Sequence, residues 1–309
     1  MATTHHLEYL PDRAAMESMR LTLLPMKGSV DGPSAREPFD HLMESTPAAP
    51  GVAYEATSFG GVPGWWCLPG DAAPHSAILY FHGGGYVAGS ARAYRHFAGQ
   101  FAARANVSAF VPDYGLAPER PFPAAIDDAG ASYAGLLTQG FSKIALAGDS
   151  AGGGLALAML SQAVAHSHAG AWPLPRGAAV ISASTDLALT GESIEARADA
   201  DPLSTRGSLS SLARLYLAGH DPRDPLASPL YGDLAGLPPV MMHVGEDDIL
   251  LDDSIRYAER LEREGGTAHL HTWAGMMHVF PSNLALLQAA NEALDNIGDF
   301  LKQQLSGDA

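Results

Sequence analysis

Short runs of apolar, β-branched and aromatic residues recur along the chain between stretches of helical spacing: HSAILYFHG (75–83), VSAFVPDY (107–114), SKIALAGD (142–149), GAAVISAST (177–185), PPVMMHVG (238–245) and TAHLHTWAG (267–275). Strands parted by helices in this way imply a parallel sheet covered on both faces. Upstream, VAYEATSFGG (52–61) and VPGWWCLPG (62–70) alternate in polarity and are separated by glycine and proline, which predicts an antiparallel hairpin at the sheet edge. The expected architecture is α/β, with eight strands in one mostly parallel sheet.

The connection from about residue 185 to residue 238 is longer than a crossover helix requires, so a subdomain is expected inside it. Within it SLSSLARLYLAG (208–219) puts Leu209, Leu212, Leu215 and Tyr216 on one helical face. The first 45 residues are similarly helical in pattern and rich in Met and Leu, and the sheet does not need them. The two segments are expected to pack together as a lid, with His5 and His6 in a mobile terminus.

Composition narrows the class. A chain of 309 residues with 47% hydrophobic side chains can fill a large core. Its formal net charge of −16, from 34 acidic against 18 basic residues, argues against nucleic acid and anionic membranes as partners and favours a small neutral substrate. The one cysteine, Cys67, excludes an internal disulfide and any zinc site built from cysteine pairs, and it fits a reducing compartment. MATTHHLEYLPDRAAM lacks the basic patch and apolar core of a signal peptide, and no run approaches ~20 apolar residues. A cytoplasmic protein without cofactor or metal is expected.

The chemistry concentrates in glycine-rich turns. Residues 148–152 read G-x-S-x-G, with an apolar strand before them and the helical run LALAML after them. This is the pattern of a nucleophile elbow, where a serine sits on a strained strand-to-helix turn that leaves no room for flanking side chains. A phosphate loop would need a lysine, and none follows. Another strand leads into FHGGGYVAGS (81–90), whose consecutive glycines expose backbone amides as oxyanion donors would require. The same stretch, as Gly83-x-Gly85-x-x-Ala88 with Asp113 ending the next strand, also fits a loose dinucleotide fingerprint. That rival accounts for neither His82 nor the serine elbow.

After an elbow serine, an acid and then a histidine should follow late strands. HVGEDDILLDDS (243–254) offers Glu246, Asp247 and Asp248 in the loop beyond a strand, while Asp252 and Asp253 open a helix where first-turn carboxylates satisfy free amides. WAGMMHVFP (273–281) sets His278 just past the final strand. His269 and His271, at strand spacing, read as one strand face, and no nearby acid or cysteine completes a metal set with them.

Taken in order, HGGGYVAGS (82–90), DYGLAPERPFPAAIDDA (113–129), GDSAGG (148–153), DPRDPLASPLYGDLAGLPP (221–239), VGEDDILLDD (244–253) and GMMHVFP (275–281) resemble the bacterial hormone-sensitive-lipase family of α/β-hydrolase esterases over roughly residues 75–300. The resemblance implies an α/β-hydrolase fold with a small helical cap from residues 1–45 and 186–220, on a catalytic domain of residues 46–185 and 221–309. It implies a serine carboxylesterase for short- to medium-chain esters, with Ser150 as nucleophile, His278 as base, and Gly83, Gly84 and the Ala151 amide as oxyanion donors. The family's acid lies in a D-P-L-x-D motif that falls on Asp248, although Ile249 stands where the proline would be and Asp247 is adjacent. Asp149 and Glu119 are expected to support the site by hydrogen bonding, and Met16, Met19, Met26, Leu203, Leu209 and Leu212 to shape an acyl pocket. Members of that family often form homodimers through the edge of the last strand, and TAHLHTW is apolar enough to permit it here. Lactones, amides or acetylated substrates would suit the same serine, and a non-catalytic ligand receptor is the rival from another class.

Overall fold

In the computed structural model, which describes residues 2–307, the apolar runs form strands β2 (Val52–Phe59), β3 (Val62–Pro69), β4 (Ser76–Phe81), β5 (Ser108–Pro112), β6 (Lys143–Asp149), β7 (Ala178–Ile181), β8 (Val240–Gly245) and β9 (Ala268–Trp273), preceded by β1 (Ala2–His6). Residue 1 of the expected cap and residues 308 and 309 of the expected catalytic domain lie outside the described residues. The sheet has nine strands in the order β1-β9-β8-β7-β6-β4-β5-β3-β2. Only the pairings β2–β3 and β3–β5 are antiparallel. Every residue of β4, β5, β7 and β8 is buried, which is why they read as unbroken apolar runs.

The helices are α1 (Leu10–Leu23), α2 (Arg36–Glu44), α3 (Ala91–Ala105), α4 (Ala124–Thr138), α5 (Ser150–His168), α6 (Ser193–Ala196), α7 (Arg206–Leu217), α8 (Leu251–Arg263) and α9 (Gln288–Ser306). Alternation along β4 sends Ala77, Leu79 and Phe81 into a core shared with α4, α5 and α8, and Ile78 and Tyr80 into a second core shared with α3 and α9. Two layers of helix thus cover both faces of the central strands, while the edge strand β2 stays partly exposed. Among the described residues no helix is long and apolar enough to cross a membrane, and no group of three or more His, Cys, Asp or Glu could hold a metal.

The expectation of eight strands is corrected by β1. Residues 2–6 pair in parallel with β9, so His5 and His6 are not a loose end. His5 Nδ1 lies 2.8 Å from Thr272 Oγ1, His6 Nε2 lies 2.9 Å from His271 Nδ1, and the His6 ring stacks on Trp273 at 3.6 Å. The free edge on that side of the sheet therefore belongs to β1, not to the last strand as the dimer expectation assumed.

Outside the sheet, α7 starts where Thr205 accepts a bond from the Ser208 amide and Ser208 Oγ accepts one from the Thr205 amide, a reciprocal cap that fixes the helix start. α1 lies against the loop after β9, with Met16 packed among Trp273, Met276 and Phe280. Asp12 of α1 accepts the Gln288 and Ala289 amides at 2.9 and 2.8 Å and so caps α9. The two segments expected to form a lid meet where the Gly28 amide donates to Leu203 O at 2.7 Å. Helix α2, by contrast, packs on α3 of the sheet domain.

Candidate active site

Strand β6 ends at Asp149 and α5 begins at Ser150, so the chain turns within a single residue. Ser150 makes that turn with φ of 52°, a left-handed backbone that costs a non-glycine residue about 1–3 kcal/mol. The flanking glycines have no alternative: a Cβ on Gly152 would sit 2.1 Å from Phe81 O, and one on Gly148 would sit 2.4 Å from Gly152 O. The strain lifts the hydroxyl clear of the sheet.

His278 arrives from the loop after β9, and its Nε2 lies 3.0 Å from Ser150 Oγ. Its Nδ1 faces both oxygens of Asp248, at 3.1 and 3.0 Å. The loop bearing Asp248 follows β8 and is fastened to the histidine loop by the Glu246 amide, which donates to Trp273 O, and the Asp247 amide, which donates to Met276 O. Gly245 must be glycine there, because its Cβ would stand 2.1 Å from Met276 O. Val279, with φ of 49°, donates its amide to Ser182 Oγ at 3.1 Å and pins the histidine loop from the other side.

Three adjacent acids thereby separate by partner. Glu246 accepts the Thr272 hydroxyl at 3.2 Å, Asp247 pairs with Arg20, and Asp248, fully buried, faces the imidazole. Asp252 and Asp253 do occupy the first turn of α8, but they turn outward from it. Asp252 accepts the Ser193 amide, and Asp253 accepts the Thr185 and Asp186 amides.

Burial opposes the charged imidazole of His278, yet the Asp248 carboxylate and its hydrogen bond, helped by Asp201 and Asp149, outweigh it and raise its pKa to about 9. Asp149 is itself buried, and desolvation lifts its pKa to about 6 against the hydrogen bonds it accepts from Tyr80 and Tyr94 and the charge of His278. It is the support expected from the sequence. Glu119 is more remote: it lies at the surface on Arg36, whose guanidinium in turn donates to Val87 O and Ala117 O.

The glycine loop is aimed by its carbonyls. His82, its pKa pushed down to about 4 by burial, is neutral and bonds Gly83 O through Nδ1 at 2.8 Å, while Gly84 O accepts the Val87 and Ala88 amides. A trans peptide directs its N–H opposite its C=O, so these anchors turn the amides of Gly84 and Gly85 the other way. Among the described residues neither amide has an acceptor within the protein. Gly83 differs, since its amide donates to Asp149 Oδ1 at 3.2 Å. The Gly83 expectation therefore conflicts with a commitment already made. The Ala151 amide belongs to the first turn of α5, where amides have no intrahelical acceptor.

Asp113, the ribose ligand of the dinucleotide rival, accepts the Ala91 amide at 2.7 Å at the start of α3. Of the six side chains expected at an acyl pocket, Leu212 reaches the glycine loop, where its Cδ1 stands 2.5 Å from the position a Gly85 Cβ would take. Met16, Met19 and Leu203 join the cluster around Trp273, Leu209 packs on Ile249 and Leu250, and Met26 is exposed.

A family model described as alpha/beta hydrolase fold matches residues 78–282. An esterase of the bacterial hormone-sensitive lipase family, solved as a crystal structure, superposes with a TM-score of 0.88 at 36% identity, covering 97% of this chain and 100% of that one. The chain belongs to this esterase family. Among its relatives are an acetyl-hydrolase of Streptomyces hygroscopicus, 40% identical over 227 residues (73% of this chain and 75% of the relative), and an ethyl acetate hydrolase of Pseudomonas putida, 32% identical over 238 residues (74% of each). It is an enzyme that hydrolyses carboxylic esters. Sequence reasoning missed two residues of this esterase that touch the acid loop, Arg20 and Asp201, because neither lies in a recognisable motif.

Proposed function

We propose that the esterase cleaves short-chain esters through an acyl-enzyme on Ser150, and the observation that carries this is the continuous relay from Ser150 Oγ through His278 to Asp248, with links of 3.0, 3.0 and 3.1 Å. His278 Nε2 takes the hydroxyl proton as Oγ attacks the ester carbonyl, and Asp248 holds the Nδ1–H tautomer and stabilises the imidazolium. The negative oxygen of the tetrahedral intermediate is received by amides of Gly84, Gly85 and Ala151, each worth about 3–4 kcal/mol to the transition state. Gly85 replaces Gly83 in this set. On collapse, the protonated imidazole hands its proton to the leaving alkoxide. Water then attacks the acyl group, giving up a proton to Nε2, and returns the serine.

The short-chain preference rests on Leu212, which closes the space above Gly85, and on the buried stack of Tyr86 on Tyr216 behind it, with ring centroids 3.8 Å apart. The named activities of the two relatives, on acetyl groups and on ethyl acetate, point the same way. A series of p-nitrophenyl esters from acetate to palmitate tests this. The highest kcat/KM is expected at acetate or butyrate, and palmitate as the best substrate would overturn the reading.

The pH profile carries its own expectation. A base must be neutral to act, so kcat/KM should climb with pH up to about 9, where His278 loses its proton, and level off above it. Because the folded-state pKa is raised, the same group stabilises the fold fully below about 6.5, and that contribution is lost as pH passes through about 9. Activity and this part of stability are therefore expected to move in opposite directions, checked by rate and thermal unfolding in one buffer series. A flat activity profile would exclude His278 as the base.

A further inference from the structure

Two charged residues from the segments outside the sheet converge on the loops that carry the acid and the histidine. Arg20, on α1, pairs through Nη2 with the carboxylate of Asp247, next to Asp248, and the same nitrogen donates to Gly275 O at 3.2 Å, three residues before His278. Its Nη1 donates to Ala200 O in the second segment. One guanidinium thus spans both outer segments and both loops, a fork geometry that a lysine cannot reproduce. Beside it Asp201, fully buried, accepts the Ile249 amide at 3.0 Å through Oδ2 and the Leu203 and Ser204 amides at 2.7 and 3.0 Å through Oδ1. Ile249 is the residue directly after the acid, and it occupies the position where the family motif has a proline with no amide to donate. The bond from Asp201 to the Ile249 amide is available only because of that departure.

We propose that Arg20 and Asp201 are positioning residues, a clasp through which the outer segments hold Asp248 in register with His278. The proposal rests on the triad read above. Asp248 orients the imidazole only while its own loop is still; that loop is tied to the sheet domain by backbone bonds to the histidine loop and by the Thr272 hydroxyl on Glu246, and Ser193 Oγ of the second outer segment adds to the clasp by donating to Ile249 O at 2.8 Å. Removing the clasp should leave the substrate's binding surface in place while loosening the relay. It should therefore lower kcat and spare KM, whereas a residue that merely closed a lid over substrate would raise KM.

Wild type, Ser150→Ala, Arg20→Ala, Arg20→Lys, Asp201→Asn and the double variant Arg20→Ala/Asp247→Ala are compared on p-nitrophenyl butyrate, with thermal unfolding to establish that each is folded. Arg20→Ala is expected to lower kcat by about 10–100-fold at nearly constant KM, since a misplacement of about 1 Å is enough for that loss. Arg20→Lys should recover part of it, and the double variant should be no slower than Arg20→Ala, because Asp247 acts through the same guanidinium. Asp201→Asn, whose amide group would meet the Ile249 N–H with a second donor, should lower kcat by about 10-fold, again at constant KM. Wild-type kcat in folded Arg20→Ala and Asp201→Asn, or a rise in KM at unchanged kcat, would overturn the clasp. Should Arg20→Ala fail to fold, Arg20→Lys and Asp201→Asn decide by the same split between kcat and KM. Ordinary activity in Ser150→Ala would instead defeat the triad itself, so the two failures are distinguishable.

Discussion

Replacing Ser150 with alanine is expected to lower kcat on p-nitrophenyl acetate by about 10⁶-fold while leaving the unfolding temperature essentially unchanged. The substitution deletes one oxygen and keeps everything that shapes the elbow. Alanine and serine bear the same cost at φ of 52°, and the Cβ is retained, so the turn that the glycines at 148 and 152 permit has no reason to relax. What disappears is the atom 3.0 Å from His278 Nε2. Ser182 is no replacement, because it is fully buried and its hydroxyl oxygen is already engaged by the Val279 amide. Residual hydrolysis above the uncatalysed rate would come from the oxyanion donors acting on bound ester and activated water. A sulfonyl fluoride should transfer its sulfonyl group to Ser150 Oγ of the wild type, with loss of HF, adding the reagent's mass less HF, and leave the variant untouched. Labelling or near-normal turnover in the variant would assign the nucleophile elsewhere.

How much of this could be read from the chain follows from what kind of interaction specified each part. Strands β4 to β8 were legible because burial on both faces leaves its mark in continuous apolar runs, and β9 because its buried positions largely alternate. The approach of His278 to Ser150 was legible because a strained turn demands glycines and because chain order limits where a partner histidine can lie. β1 was not, since it is held by backbone pairing with β9 and by contacts of the His5 and His6 imidazoles with Thr272, His271 and Trp273, and shows no apolar alternation. That the Gly83 amide is taken up by Asp149 was not legible for a related reason. The direction of a peptide plane in a glycine run is set by remote anchors, here His82, Tyr114 and Asp149, and each glycine looks alike in sequence. Likewise, Glu246, Asp247 and Asp248 differ only in what folds against them. Arg20 meets Asp247 across 227 positions of chain, a separation at which single charged residues give no local signal.

Asp248→Asn is expected to lower kcat by about 10³–10⁴-fold, and Asp247→Asn by less than about 10-fold. The difference follows from what each carboxylate faces. Asp248 Oδ1 also accepts the Leu250 amide at 2.8 Å, and an asparagine satisfies that donor only by keeping its carbonyl oxygen there. Its NH₂ group then occupies the place of Oδ2, 3.0 Å from His278 Nδ1. Donor meets donor unless the ring gives up the Nδ1 proton and carries it on Nε2, where it points at Ser150 and the ring can no longer accept the hydroxyl proton. The negative charge that chiefly raises the imidazole pKa is lost as well, so whatever activity remains should show its acid limb at lower pH than the wild type. At Asp247 an asparagine can still present an oxygen to Arg20, and no group there touches the imidazole. The reverse ranking of the two variants, measured as kcat on the same ester, would move the acid one residue toward the N-terminus. Equal and large losses would mean instead that the loop responds as a unit and that neither carboxylate acts alone.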